Sequence, residues 1–369
     1  MLAVASRSAQ PDRSDATYHR RPMPTRSLVA LLAAGLLLVG ACRDADADAD
    51  ADVAEAEADA DVTTTTAAEE TTTTLDPDDP ASVAADPSAG CGSEPDVDPV
   101  GDELPGDVEQ TFTSAGVERI YRLGVPAEYD PEVAAPLLVN LHGSGSDANQ
   151  ASIYGDVPRR AAERRVITVA PQSVSGQWEL SGEGIDADFI IGLVDDIETR
   201  YCIDRNREHI VGMSLGAWKA AVTACSFDGR FASVALVTVE VFPGDCDPLP
   251  VVAFHGTADP VVAYGEGGED VEIVGSNAGL PGARDNIAAW ADSGGCGPEP
   301  EVSDIAADVE LWAYPDCADG VDVELYTIDG GGHTWPGSEI IIGPPEWTTD
   351  SIDATALALD WFEAHPRRG

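Results

Sequence analysis

The pentapeptide Gly212-Met213-Ser214-Leu215-Gly216 sets one hydroxyl between two glycines, where a strand should pass into a helix. Glu208-His209-Ile210-Val211 before it is short and partly β-branched. Ala217 to Ala224 after it is a good helix former. A nucleophilic serine needs this context. A tight turn lifts the hydroxyl clear of the sheet, glycines let neighbouring backbone pass close, and the helix N-terminus favours developing negative charge. Such a serine also needs a base and an acid, and in this arrangement they follow in the order acid, then histidine. Val251-Val252-Ala253-Phe254-His255-Gly256 is a buried-strand pattern, with Thr257-Ala258-Asp259-Pro260 as the loop after it. Asp259 therefore falls at a strand's carboxyl end. Val321 to Ile328 alternates like a strand and runs into Asp329-Gly330-Gly331-Gly332-His333-Thr334-Trp335-Pro336-Gly337. The glycines give His333 the sharp loop it needs to reach both an acid and a serine.

Elimination among the six histidines supports His333. His19 lies in the targeting region, His209 begins a strand behind the turn, and His365 is near the C-terminus. His255 lies inside the strand that carries Asp259 and is expected to be structural. Asp329 is the rival acid. Pro136 to Leu141 is a buried strand ending in His142-Gly143-Ser144-Gly145, a loop suited to supply an oxyanion donor. The backbone N–H groups of Leu215 and Ser144 are the expected pair. His142 is expected to brace this loop at the edge of the substrate site.

The combination of Leu-His-Gly, Gly-Met-Ser-x-Gly, His-Gly-Thr-Ala-Asp-Pro-Val-Val and Gly-Gly-His-Thr-Trp-Pro-Gly resembles the secreted polyhydroxybutyrate depolymerase / feruloyl esterase group of α/β-hydrolases. The resemblance covers roughly Cys91 to the C-terminus. It implies an α/β-hydrolase fold and an esterase acting on polyester-like or phenolic-acid-sugar esters. On matching positions Ser214, Asp259 and His333 take the triad roles, and Trp335 lines the cleft. The group often carries Asn-Gly-Gly after the serine. Leu215-Gly216-Ala217 stands there instead, which makes the wall beside the nucleophile more apolar.

The rest of the chain fits one enzyme domain behind a tether. Residues 1–41 contain Arg26, an apolar run from Leu28 to Leu38 and small residues before Cys42, the pattern of an export signal. Cysteine directly after small residues resembles a bacterial lipobox, so Cys42 is the expected lipidation site. Residues 42–90 are Asp-Ala alternation, threonine runs and proline. They cannot bury enough surface to offset ordering entropy and are expected to form a solvated spacer. Residues 91–369 hold the catalytic domain. An enzyme lipid-anchored to the cell surface follows, touching the membrane only through that anchor.

The net charge is −47, and loss of residues 1–41, with five arginines and two aspartates, leaves −50. That field disfavours nucleic acid and anionic substrates and suits a neutral ester. Neither metal nor cofactor is called for, since no Cys-x-x-Cys or His-x-x-x-His spacing occurs, and a monomer is expected. A peptidase or dienelactone-type hydrolase with the same triad, and a non-catalytic wall-binding lipoprotein, are the alternatives.

Seven cysteines in an exported chain point to disulfides. With Cys42 lipidated, six remain. About six strand residues at ~3.3 Å and about eleven helical residues at ~1.5 Å travel similar distances, which would bring Cys202 and Cys225 together below the sheet. Cys296 and Cys317 close an insert before the last strand, and Cys91 and Cys246 pair by remainder. Glu109 to Val125 reads as an antiparallel pair turning near Ala115. Val166 to Ala170 and Ala232 to Val239 are strands; Asp186 to Tyr201, Asp285 to Ala291 and Ser351 to Ala364 are helices. The expected fold class is α/β: a mainly parallel sheet with helices on both faces. Trp178, in a loop on the catalytic side, is placed to stack on an aromatic acyl group.

Overall fold

The computed structural model describes residues 79–265 and 281–368. Cys42, the signal and most of the spacer lie outside the described residues. In chain order the elements are β1 (Val108–Ser114), β2 (Val117–Gly124), β3 (Ala135–Leu141), α1 (Ala148–Ile153), α2 (Val157–Ala162), β4 (Ile167–Pro171), α3 (Ile185–Arg200), β5 (Ile203–Met213), α4 (Leu215–Ser226), β6 (Ser233–Val237), β7 (Val251–Gly256), α5 (Ala283–Ser293), β8 (Glu301–Ala306), β9 (Val309–Tyr314), β10 (Val323–Ile328) and α6 (Ala354–Ala364). One sheet runs in the order β1-β2-β4-β3-β5-β6-β7-β10-β9-β8. The pairs from β4 through β10 are parallel. Antiparallel pairs extend it at both ends. This is an α/β-hydrolase fold.

Strand alternation builds the two layers. Leu137, Val139 and Leu141 of β3, Ile210 of β5 and Val234 and Leu236 of β6 pack with Phe189, Ile190 and Leu193 of α3, Ala217 and Ala220 of α4 and Trp290 of α5. The residues between them, Leu138, Val211, Ala235 and Val237, join Phe254, Leu359 and Phe362 on the other face, under α2 and α6. A period of two sends successive side chains to opposite faces, so both layers are apolar only where the strand is apolar throughout. Truncating such a residue, Leu138 for example, costs about 2–5 kcal/mol. The consequence for the site is rigidity: the ends of β3, β5, β7 and β10 are fixed along one edge.

Three expectations need correction. The hairpin of β8 and β9 extends the sheet where only an insert is expected. Its alternation is weak because β8 is an edge strand, with Val302 and Ile305 about half exposed. The folded domain also starts before Cys91. Asp79 caps a short helical turn at Pro80–Ser82, Pro87 bridges Asp204, and Ser88 Oγ donates to the Tyr201 carbonyl while accepting from Ile203 N–H.

The cysteines pair as Cys91–Cys202, Cys225–Cys246 and Cys296–Cys317. Only the last matches expectation; Cys202–Cys225 and Cys91–Cys246 do not form. The strand after Cys202 is eleven residues long, nearly twice the length that makes strand and helix equal. A twelve-residue helix rises only about half as far as such a strand. Cys225 therefore meets Cys246 in the β6–β7 connection, while Cys202 lies beside the N-terminal segment that Ser88 ties down.

Candidate active site

Ser214 sits between β5 and α4 with φ 58° and ψ −124°. A non-glycine residue with positive φ is strained by about 1–3 kcal/mol and persists only where its surroundings hold it. Here Ser214 N–H donates to the Val237 carbonyl at 2.9 Å, and its own carbonyl accepts from Ala217 and Trp218. The flanking glycines are required by contact. A Cβ on Gly212 would lie 2.3 Å from the Gly216 carbonyl carbon, and one on Gly216 would lie 2.2 Å from the Leu141 carbonyl oxygen. With both bare, the strand end and helix start cross closely, and α4 begins against the end of β3. The first N–H groups of a helix have no acceptor within it, and Leu215 supplies the first of these in α4.

Asp259 follows β7 and its side chain is fully buried. One carboxylate oxygen accepts from Val261 N–H at 2.7 Å and Val262 N–H at 2.9 Å. The other faces His333 Nδ1 at 2.7 Å. Burial would raise this carboxyl, but hydrogen bonds from His255 and His333 and their charge outweigh it and hold Asp259 well below the usual carboxylate range. The ionised acid thus fixes His333 with Nδ1 inward, which leaves Nε2 as the nitrogen available to a hydroxyl. The rival acid, Asp329, is exposed and accepts from Thr257 Oγ1. A Cβ on Gly256 would lie 2.2 Å from the Gly331 carbonyl oxygen, so these glycines let the acid and histidine loops lie together.

The His142–Ser144 loop closes the third side. Gly143 is within van der Waals reach of Ser214: a Cβ there would stand 3.4 Å from the serine Cβ. His142 Nε2 accepts from Ser173 N–H at 3.1 Å, so Nδ1 carries the proton and donates to the Gly143 carbonyl at 2.8 Å. Burial lowers its basicity in keeping with that neutral ring. Ser144 Oγ bonds the Gln177 amide. His142 thus has both ring nitrogens committed to backbone of this loop and of Ser173.

Trp178 departs from expectation. Its indole N–H donates to the His142 carbonyl at 2.8 Å and its ring lies 4.8 Å from the imidazole. It is 4% exposed and does not line the cleft. It stands behind the loop and holds it, because a buried indole N–H must find an acceptor and the loop carbonyl supplies it.

Ser214 and His333 open on one cavity of ≈ 200 Å³, shared with His142, Gly143, Ser144, Tyr154, Trp335 and Ile342. Trp335 forms a fixed wall of this cavity. Its indole N–H donates to Thr355 Oγ1 at 3.0 Å, and Gly155, at φ 63°, leaves room for the ring edge. Tyr154 and Ile342 are missed from the sequence. Both lie in irregular segments whose approach to the serine no local pattern announces. Burial pushes the Tyr154 phenol up to about 12, so it stays a neutral hydroxyl beside the cavity.

No family model matches the chain. It is 30% identical over 223 residues to feruloyl esterase B of Piromyces equi, covering 56% of this chain and 41% of that protein. It is 28% identical over 227 residues to probable feruloyl esterase C of Aspergillus niger, covering 56% and 83% respectively. Its fold is similar to that of acetyl xylan esterase from Aspergillus awamori, with TM-score 0.50 and 14% identity over 70% of this chain and 99% of that one. The chain thus spans less than half of the first relative and most of the second. By sequence it is similar to feruloyl esterases over little more than half its length, and by fold it is an α/β-hydrolase.

Proposed function

We propose that this feruloyl esterase-like chain is an exported serine esterase working through Ser214, His333 and Asp259. The observation that carries the reading is the 2.7 Å hydrogen bond from buried Asp259 to His333, whose ring lines the same cavity as Ser214. Ser214 Oγ attacks the ester carbonyl as His333 Nε2 takes its proton. Asp259 orients the ring and stabilises the imidazolium. Leu215 and Ser144 N–H groups receive the oxyanion, and the imidazolium protonates the departing alcohol. Water, activated by the same histidine, then hydrolyses the acyl-enzyme. The substrate class is a neutral carboxylic ester of the feruloyl-sugar, acetyl-sugar or polyhydroxyalkanoate kind. The largely apolar cavity walls and the names of the relatives support this class.

Export is supported by the N-terminal pattern and by three disulfides among the described residues. Anchoring through lipid on Cys42 is part of the same reading. Three experiments test it. A fluorophosphonate probe should label wild type and spare Ser214→Ala; equal labelling of both would place the nucleophile elsewhere. Aryl-ester, feruloyl-sugar and hydroxybutyrate-oligomer substrates, run beside a lactone and an amide, then separate the ester reading from the dienelactone-type and peptidase alternatives. In a lipoprotein-processing bacterium the protein should partition with membranes and be released by Cys42→Ala. A wholly soluble wild type would remove the anchor.

A further inference from the structure

His255 occupies the fifth position of β7, four residues before Asp259, and its side chain is fully buried. Nδ1 lies 2.8 Å from Glu240 Oε2. Nε2 lies 3.1 Å from the Val262 carbonyl oxygen and 3.5 Å from Asp259 Oδ2, the same oxygen that His333 Nδ1 reaches at 2.7 Å. Both ring nitrogens therefore face oxygens, two of them carboxylate oxygens. A neutral imidazole has one N–H and one lone pair. With Glu240 ionised, one of these contacts would then set a nitrogen lone pair against an oxygen lone pair inside the core. A ring with both nitrogens protonated satisfies every partner.

We infer that His255 is a permanent imidazolium, paired with Glu240, which clamps Asp259 from behind and lowers the hold of the Asp259–His333 pair on its catalytic proton. This rests on the reading of Ser214, His333 and Asp259 as a hydrolytic triad. The consequence follows from Coulomb's law. Asp259 shares one oxygen between two imidazole rings. When His333 takes the serine proton, a second cation already stands on the far side of that carboxylate. The triad base is released from its proton more readily than a lone Asp–His pair would allow, and it stays competent at lower pH. In a protein of net charge −47 that matters, since the surrounding field favours a protonated base.

The groups facing His255 agree with the assignment. Glu240 comes from the segment after β6, Asp259 and the Val262 carbonyl from the loop after β7, and His333 stands across Asp259 on the loop after β10. The Tyr264 ring meets His255 edge-on at 5.5 Å. The Tyr264 hydroxyl is held by Thr327 of β10 and by Arg284 Nε of α5, which directs that cation to the phenol oxygen. Burial alone would lower the basicity of His255; the charges and hydrogen bonds of Glu240 and Asp259 overcome it and raise the ring to about 10. Glu240 and His255 thus form a buried ion pair whose positive end touches the triad acid. His255 is a positioning residue, reaching no substrate itself.

Two measurements test this. In wild type labelled with ¹⁵N-histidine, the shifts assigned to His255 should report two protonated nitrogens from pH 5 to pH 8. A single protonated nitrogen at pH 7 overturns the inference, and this readout needs no substrate. The second is the pH dependence of kcat/KM for a neutral aryl ester in His255→Gln and in His255→Gln/Glu240→Gln. The single variant strands a buried carboxylate, and the double variant removes that liability. In both, the acidic limb should move to higher pH, by about one unit in the single variant and by less in the double. Activity on the alkaline plateau should be largely retained. A limb that does not move in the folded double variant overturns the role assigned to His255. Failure of the triad reading is separately visible, since Ser214→Ala would then remain active and probe labelling would be unchanged.

Discussion

Strand β10 has a histidine–aspartate pair at each end, and the two have the same length. Beyond its carboxyl end His333 Nδ1 meets Asp259 at 2.7 Å; before its amino end Asp322 meets His365 Nε2 at 2.7 Å. They differ in everything around that bond. The Asp259 side chain is fully buried, while that of Asp322 is 63% exposed. The second oxygen of Asp259 is held by two backbone N–H groups. The second nitrogen of His365 faces the Trp361 carbonyl at 2.7 Å, so both its nitrogens are occupied. His333 keeps one nitrogen for the cavity that holds Ser214. A histidine–carboxylate contact is therefore not a catalytic signature by itself. What matters is a dry, oriented acid and a ring nitrogen left open to a nucleophile.

The largest expected effect lies at the carboxyl end. Ser214→Ala and His333→Ala should each reduce kcat by about four to six orders of magnitude with folding intact, and Asp259→Asn by about four. Steady-state kinetics on an aryl ester, with circular dichroism as the folding check, measures this. A crippling Asp329→Asn beside a mild Asp259→Asn would transfer the acid role to the rival. At the amino end Asp322→Asn should leave kcat/KM within about twofold and cost about 1 kcal/mol, the scale of a single hydrogen bond. A large kinetic defect there would erase the distinction between the two pairs.

Stability against pH sharpens the same contrast within β5, which carries Ser214 at one end and Glu208 farther down. Glu208 is buried and raised to about 9, chiefly by burial, with Arg230 opposing. His255 is raised to about 10. A group raised on folding contributes stability that is present below its unfolded value and lost as pH rises through the folded one. For Glu208 that window runs from about 4.5 to about 9, and for His255 from about 6.5 to about 10. The thermal midpoint should therefore fall steadily from pH 6 to pH 10. Glu208→Gln should raise it at pH 8 without altering kcat, because Glu208, midway along β5, does not line the cavity that Ser214 and His333 share. Asp259 has the opposite sign: its contribution is present above its ordinary value and lost on acidification. A midpoint that climbs between pH 6 and pH 10 would contradict both raised groups.

The smallest effect concerns the surface. The Asp259 contact is short-range and resists salt, but the field of the acidic surface is screened as the Debye length falls from about 30 Å at 0.01 M to about 3 Å at 1 M. The acidic limb of kcat/KM for a neutral ester should shift to lower pH as sodium chloride is added, by a fraction of a unit. A fixed limb would mean that the carboxylates lie too far from the cleft to act on it.

Much of this site is legible in the chain because its parts are local. Gly212, Ser214 and Gly216 sit within one turn, and the close approach that demands a bare Gly212 is to its near neighbour Gly216. Asp259 and His333 each follow a recognisable strand, so strand order suffices to bring them to one edge. The parallel strands and the three long helices likewise announce themselves by runs and periodicity. Trp178 shows where this stops. Its loop is readable, but whether the indole turns toward the cavity or toward the His142 carbonyl depends on what lies behind it. The cysteines repeat the lesson: Cys202 and Cys225 both flank the nucleophile's strand and helix, yet their partners come from Cys91 and Cys246.

The sequence alone located the candidate nucleophile, its elbow and the order of the candidate acid and histidine, because those follow from short-range backbone geometry and from where strands end. Tertiary structure alone decided which histidine–aspartate pair is buried with a nitrogen free, which cysteines meet, and that His255 stands between Glu240 and Asp259. Each of these depends on burial and charge contributed by segments distant along the chain. Those contributions set the protonation and reach of a side chain whose own neighbours in sequence carry no record of them.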